Sequence, residues 1–349
     1  MSDQSSYAIV VCTFMRQELL QVLFDSFAVM GERPARFVIV DNESSPDTEA
    51  MVETLRSIVA DTSEVLYVPQ ETNGGGAGGF SAGTKVAYDS GAEWIWLMDD
   101  DVKVLPGAIT KLRHWTDRVD GDLAAGKDLM DTHAVIQGSR LNFDGTAFYW
   151  QYDFWDHLGM PNPIAPRPFG KHTGNADTLR AEGESNQAAT AEYRPMNTLC
   201  FEGGLFHRSV TQRIGLPDPR FFIYSDDATY GYLASKITRP IVTSDLILER
   251  TRELDHHRLG SVRKLNSTSD MTRYHIMRNR GYIAQYLRLY GQYNPVIFGI
   301  GTAATWAKEV IRLSLTEDKK SGFAQLQRGL KDAKTLRQDT EWKPMEPLG

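Results

Sequence analysis

Four short apolar runs, spaced by amphipathic segments, constrain this chain more than any other feature. "YAIVV" (7–11), "RFVIVD" (36–41), "EVLYV" (64–68) and "WIWLM" (94–98) are continuous enough to read as strands buried on both faces. Helical spacing fills the gaps. "ELLQVLFDSFAVM" (18–30) is stopped by Gly31, and "SPDTEAMVETLRSIVA" (45–60) opens on Ser45 as N-cap with Pro46 at the first position. "FSAGTKVAYDS" (80–90) is a third helix behind a glycine-rich turn, and Pro106 opens a fourth. Alternation of this kind requires right-handed crossovers, so the expected class is α/β: a mainly parallel twisted sheet flanked by helices.

The second half is less regular. "HAVIQGSR" (133–140), "NTLCFEGGLFHR" (197–208) and "PIVTSDLILE" (240–249) read as strands, and "YSDDATYGYLASK" (224–236) starts acidic and continues as a helix. Residues 151–195 are rich in Pro, Asn, Gly and Ala, and a loop of that length is normally functional. From about Ser269 the pattern is helical: "DMTRYHIMRNRGYIAQYLRLY", then 295–314 and 322–336.

Composition narrows the function classes. A net charge of −7 argues against nucleic-acid binding. Two distant cysteines, Cys12 and Cys200, fit a reduced, cytoplasmic protein. The start, "MSDQSSY", lacks a signal-peptide pattern, and no apolar run is long enough to span a bilayer. "VIFGIGTAATWA" (296–307) suits a core helix or one lying on a membrane surface.

Polar residues gather just after the strands. Thr13 and Arg16 follow the first, Asp41 and Asn42 the second, Asn73 and the glycines the third, and Asp99, Asp100 and Asp101 the fourth. Open parallel sheets bind ligands outside the carboxyl ends of their strands, so these groups address one crevice. "NGGGAGGFSAG" (73–83) contains GxGxxG as Gly74, Gly76 and Gly79, which admits a nicotinamide-dependent oxidoreductase as a rival. That fingerprint belongs at the first strand–helix turn, and its acidic partner is a single residue rather than a triplet.

The triplet could be a solvated turn, but the strand before it is too apolar to solvate it. With alternate residues pointing the same way, Asp99 and Asp101 address one ligand and Asp100 turns elsewhere. Such hard oxygen ligands suit Mg²⁺ or Mn²⁺ on a diphosphate. Asp226 and Asp227 open a helix, where capping explains one acid better than two. His256 and His257 follow a later strand and could complete a metal sphere.

Taken in order, "VVCTFMR", "VIVDNES", "NGGGAGGFSAG", "WIWLMDDD", "FIYSDDATY", the later histidines and "RYHIMRNR" resemble the family 2 inverting glycosyltransferases over roughly residues 7–285. Within them, the GGAGGF turn followed by MDDD is similar to the bacterial galactofuranosyltransferases. The resemblance implies a GT-A fold, a UDP-galactofuranose donor, an Mn²⁺ or Mg²⁺ cofactor, and a glycan or lipid-linked glycan acceptor in cell-envelope polysaccharide synthesis. dTDP-rhamnose, used by related rhamnosyltransferases, is the alternative donor.

Carried over by motif, Thr13, Arg16 and Asp41 hold the nucleotide, with Asp41 reading the base. Asn73, Gly74, Gly75, Gly76 and Gly79 line the diphosphate and donor sugar, Asp99 lies near ribose or metal, and Asp100 supports them. Asp101 is the main metal ligand, joined by His256 ahead of the adjacent His257, and Asp227 is the general base beside Asp226. Trp150, Trp155 and His257 join Asp226 on the acceptor side. Ser225 stands where polymerising members have tryptophan, and with the first strand expected near Tyr7 their extra N-terminal β domain is not expected, so the resemblance implies a single-linkage or short-chain transferase.

The implied organisation is a transferase domain over 1–265, with a nucleotide-binding half (1–125) and an acceptor-binding half (126–265), then a helical region over 266–349. Tyr274, Arg278 and Tyr282 share one helix face. Arg273, Arg278 and Arg280, together with the apolar 296–307 segment, imply peripheral contact with lipid phosphates at the inner membrane surface. A non-catalytic nucleotide-sugar or glycan-binding protein on the same fold is the third class.

Overall fold

The structure, a computed structural model, describes residues 7–148, 153–162, 174–175, 192–253, 256–259, 263–266, 268–316 and 319–349. Its first part follows the apolar runs. β1 (Tyr7–Thr13), α1 (Gln17–Val29), β2 (Arg36–Asp41), α2 (Pro46–Val59), β3 (Glu64–Pro69), α3 (Gly75–Asp89) and β4 (Trp94–Asp99) alternate in order. β1, β2 and β4 are buried almost throughout, as runs without polar alternation require. Ser45 caps α2, its hydroxyl accepting from the Asp47 N–H at 3.2 Å.

Next come β5 (Val102–Val104), α4 (Ala108–Ala124), β6 (Val135–Leu141), β7 (Ala147–Phe148) and the short pair β8 (Phe154–Trp155) and β9 (Met160–Pro161). β10 (Gly174–Asn175), β11 (Glu192–Pro195), β12 (Gly204–His207), α5 (Arg208–Ile214), α6 (Asp226–Ala234) and β13 (Ile241–Arg250) follow. A hairpin, β14 (His256–Leu259) and β15 (Arg263–Asn266), precedes the helices α7 (Asp270–Arg278), α8 (Arg280–Leu289), α9 (Pro295–Ser314) and α10 (Lys319–Gln338).

The central sheet has eleven strands, in the order β10-β11-β13-β6-β12-β4-β1-β2-β3, with β5 on β13 and β7 on β6. The block β4-β1-β2-β3 is parallel. Antiparallel pairing enters where β12 joins β4, with Leu205 opposite Trp96. The sheet is therefore mixed beyond that point, and the segment 197–203, read as strand from its apolar content, is instead the approach to β12.

The glycine-rich stretch is the first turns of α3 rather than a loop ahead of it. Gly79 faces the sheet: a Cβ there would sit 2.2 Å from Cys12 Sγ, so the missing side chain lets α3 lie directly on β1. The long helix expected after Ser269 divides at Asn279 into α7 and α8. α7, α9 and α10 share a small core of Met277, Leu313 and Leu326.

Candidate active site

β4 ends at Asp99, so the strict strand alternation expected of the aspartates stops there. Asp100 is buried and accepts from Thr13 Oγ1 at 2.8 Å and from Arg16 Nη1 at 3.0 Å. Arg16 also lies 3.6 Å from Asp101, whose carboxylate accepts from Arg252 Nε at 2.6 Å. Asp100 and Asp101 thus share a cation instead of pointing apart. The Asp99 carboxylate has no hydrogen-bond or ion-pair partner among the described residues. Burial, then Asp101, Glu202 and Asp100, push its carboxyl far above the ordinary range.

Asp41 is fully buried and committed to the fold. Its carboxylate accepts from the N–H groups of Glu43 (2.9 Å) and Ser45 (2.8 Å) and from the Tyr67 hydroxyl (2.8 Å), closing the turn between β2 and α2. The expected base-reading carboxylate is therefore already occupied by three donors. Asn73 also acts locally, its Oδ1 accepting from the Gly75 N–H at 2.8 Å. Gly75 has φ +68°, and a Cβ there would lie 2.1 Å from the Phe222 carbonyl oxygen. Only glycine lets the start of α3 approach that loop so closely. The Ala77 N–H completes the junction by donating to the same Phe222 oxygen at 3.0 Å.

Phe222, Tyr224 and Ser225 all have positive φ, at 63°, 73° and 67°. Each costs about 1–3 kcal/mol in a non-glycine residue and persists only where the surroundings hold it. Asp226 and Asp227 follow at once as the first residues of α6. Burial and then Asp227 raise the Asp226 carboxyl well above the usual range. Burial also raises Asp227, to a smaller extent, opposed by the Ala228 N–H, Arg140 and the Cys200 thiol. Both carboxyls are thus raised, by burial and, for Asp226, by the adjacent Asp227.

The acidic groups surround two buried thiols. Cys12 lies within electrostatic reach of Asp99, Asp100 and Asp226, and Cys200 within reach of Asp227, Glu202 and Asp99. Beneath them runs a buried triad. Glu202 meets Arg250 through Nε at 2.7 Å and Nη2 at 2.8 Å, and Arg140 Nη1 at 3.0 Å. Burial alone would raise Glu202, but the two arginines hold it below its ordinary value. Nothing local in the sequence marks these three residues, because β6 and β13, which carry the arginines, become neighbours only in the sheet.

Trp155 stands exposed on β8, while adjacent Phe154 packs on Tyr232 of α6 at 5.2 Å between ring centroids. Trp150 and most of the 151–195 loop lie outside the described residues. His256 and His257 open β14, and their side chains are outside the description too. Among the described residues no group of three His, Cys, Asp or Glu side chains is gathered to hold a metal ion. The partnerless, charge-crowded Asp99 beside Asp101 nonetheless suits a divalent cation, which would relieve that repulsion.

The three arginines expected to face lipid phosphates are internal or engaged. Arg273 and Arg280 are buried. Arg280 donates to the carbonyls of Leu158 (2.7 Å) and Gly159 (2.8 Å), and Arg278 donates to those of Arg220 and Phe221. The Tyr274, Arg278, Tyr282 face does form, with the guanidinium 5.8 and 5.6 Å from the two rings.

Residues 8–155 match the family described as Glycosyl transferase family 2. Over this segment the chain is similar to that family. Two relatives are galactofuranosyltransferases GlfT1. That of Mycolicibacterium smegmatis is 26% identical over 220 residues, 62% of this chain and 61% of the relative. That of Mycobacterium tuberculosis (strain CDC 1551 / Oshkosh) is 29% identical over 225 residues, 64% and 62% of the two chains. The chain therefore spans less than two thirds of the length of these relatives. Among solved structures, S. aureus TarS 1–349 in complex with UDP-GlcNAc superposes with a TM-score of 0.48 at 13% identity, covering 95% of this chain and 90% of that one. The mannosyltransferase PcManGT from Pyrobaculum calidifontis in complex with GDP-Man and Mn²⁺ gives 0.47 at 11%, covering 98% and 89%.

The matched segment runs from β1 to β8, so Thr13, Arg16, Asp41, the start of α3 and the aspartate triplet all lie inside it. The match also displaces the dinucleotide reading of Gly74, Gly76 and Gly79.

Proposed function

We propose that the protein is an inverting glycosyltransferase that moves galactofuranose from UDP-galactofuranose to a glycan or lipid-linked glycan acceptor. The observation that carries this reading is the meeting of three groups: the start of α3, the Asp99–Asp101 cluster, and the buried Asp226–Asp227 pair. Likeness to galactofuranosyltransferases favours that donor over dTDP-rhamnose. On this reading residues 1–125 are the nucleotide half, 126–265 the acceptor half and 266–349 a helical region.

In the reaction, the ionised Asp227 carboxylate takes the proton from an acceptor hydroxyl as its oxygen attacks the anomeric carbon. The bond to the diphosphate oxygen breaks in the same displacement, and the anomeric centre inverts. Asp226, its carboxyl raised by burial and by Asp227, stands directly beside it. Asp99 and Asp101, with His256, would hold Mn²⁺ or Mg²⁺, which when bound neutralises the leaving diphosphate. Arg16, paired to Asp100 but 41% exposed at its side chain, reaches toward the nucleotide phosphates.

Release of UDP from UDP-galactofuranose, measured with and without Mn²⁺ against a dTDP-rhamnose control, tests the reading. Metal-dependent release from the UDP donor alone is expected. Release from dTDP-rhamnose alone would replace the donor, and binding of NAD without release from either sugar nucleotide would sink the transferase assignment.

Membrane contact belongs to α9 rather than to the buried arginines. No described helix is long and apolar enough to cross a bilayer. Val296, Ile300, Ile311 and Leu315 nevertheless line an exposed stripe, with Val296 71% and Ile300 59% accessible. The adjoining α10 carries Lys319, Lys320, Arg328, Lys331, Lys334 and Arg337 against the single acid Asp332. An apolar stripe bordered by cations fits the cytoplasmic face of a membrane with anionic headgroups. The other side of α9 supplies Glu309 and Arg312, both within electrostatic reach of Tyr224, which also senses Asp227. The protein should sediment with vesicles containing anionic phospholipid, and Ile300→Glu with Ile311→Glu should lower the bound fraction at least about fivefold. Equal sedimentation of wild type and variant would remove this surface from the proposal.

A further inference from the structure

Asn279 separates α7 from α8 and is fully buried. Its Nδ2 donates toward the carbonyls of Phe221 (3.1 Å), Ile223 (2.8 Å) and Tyr224 (2.7 Å). Two hydrogens serve three acceptors, so one of them is shared. Its Oδ1 accepts from Arg278 through Nε at 3.0 Å and Nη2 at 2.7 Å. That Nη2 also reaches the carbonyls of Arg220 (2.6 Å) and Phe221 (2.7 Å). Two consecutive side chains from the helical region thus hold the backbone oxygens of residues 220, 221, 223 and 224.

The segment they hold does not adopt its shape unaided, since Phe222, Tyr224 and Ser225 are left-handed without being glycine. It also touches both reacting sides. The Phe222 oxygen receives the Ala77 N–H from the start of α3, and the chain passes from Ser225 directly into Asp226 and Asp227. A shift in this loop would move the acid pair and the donor turn together.

We infer that Asn279 is a positioning residue for sugar transfer: its amide fixes the strained 220–225 loop and so sets the distance between the Asp226–Asp227 pair and the glycine turn. This rests on the transferase reading above. It assigns to a residue that touches neither donor nor acceptor the alignment on which the attack depends. A misplacement of about 1 Å at a reacting group lowers turnover about 100-fold.

The experiment compares wild type, Asn279→Ala, and Asn279→Ala combined with Ser225→Gly, which relieves a left-handed position. Thermal unfolding, UDP affinity, acceptor KM and kcat are measured for each. Asn279→Ala should lower both Tm and kcat, the latter about 10- to 100-fold, with UDP affinity changed less than about threefold. Adding Ser225→Gly should recover Tm but not kcat, because a relaxed loop is not a placed one. Recovery of kcat together with Tm would overturn the inference and leave Asn279 a purely structural residue. If Asn279→Ala does not fold, Asn279→Ser decides, since its single, shorter hydroxyl donor keeps a polar group at the buried position but cannot serve the Phe221, Ile223 and Tyr224 carbonyls together. Its kcat should fall with UDP affinity retained, and an unchanged kcat overturns the inference. Wild type inactive on every donor tested would overturn the transferase reading and this inference together, whereas active wild type with unaffected variants overturns this inference alone.

Discussion

Asp227→Asn is expected to lower turnover about 10²- to 10⁴-fold while leaving UDP affinity within about threefold of wild type. The amide nearly preserves the shape of the carboxyl and can still accept from the Ala228 N–H, which reaches Asp227 Oδ1 at 2.6 Å. It cannot take a proton from an acceptor hydroxyl. The pH profile supplies a second reading of the same group. Burial lifts Asp227 to about 6. A general base works only when ionised, so kcat/KM should fall as pH drops through that value, not near the ordinary carboxylate value of about 4. The limb should be absent from the residual activity of the asparagine variant. If UDP affinity falls in step with turnover, Asp227 belongs to the donor site. An acid limb near pH 4 would assign the base to another carboxylate.

Removing Glu202 should produce the largest stability change. Its carboxylate lies between the Arg140 and Arg250 guanidinium groups and pairs with both, and all three residues are buried. Truncation takes that anion from two desolvated cations, and breaking a buried pair in this way costs about 3–5 kcal/mol. Against a typical total of about 5–15 kcal/mol, Glu202→Ala should shift the urea midpoint well below that of wild type. Acid should narrow the gap. Because the folded protein holds the Glu202 carboxyl below its unfolded value, its contribution is present above the unfolded value and is lost as pH falls through the folded one. A loss under about 1 kcal/mol at neutral pH would mean that solvent already compensates the arginines.

The parallel block was legible because its signals are local. Continuous apolar runs, a Ser-Pro helix start at Ser45 and the polar residues after each strand require no knowledge of distant neighbours. The same locality explains what stayed hidden. The donors that engage Asp41 belong to backbone turn geometry and to Tyr67 on the next strand, neither of which its own stretch of sequence displays. Arg273, Arg278 and Arg280 looked like a basic surface because a helical face is readable, whereas what packs over it is not. The glycine stretch looked like a loop, since five glycines are poor helix formers. Close contact of α3 with Cys12 and with the Phe222 carbonyl outweighs that propensity. Asn279 offered no signal beyond its place in "RYHIMRNR", because its partners lie in a loop more than fifty positions away.

The antiparallel pairing of β12 with β4 has a consequence for biosynthesis. "WIWLM" is wholly apolar, and one of its edges stays open until residues 204–207 have been made and have returned to it. During translation the nascent first half therefore presents an unpaired, hydrophobic strand edge, the kind of surface on which chains stick to one another. Residues 1–125 expressed alone would retain that edge permanently. A chaperone acting on the nascent chain would need to shield β4 only until β12 arrives.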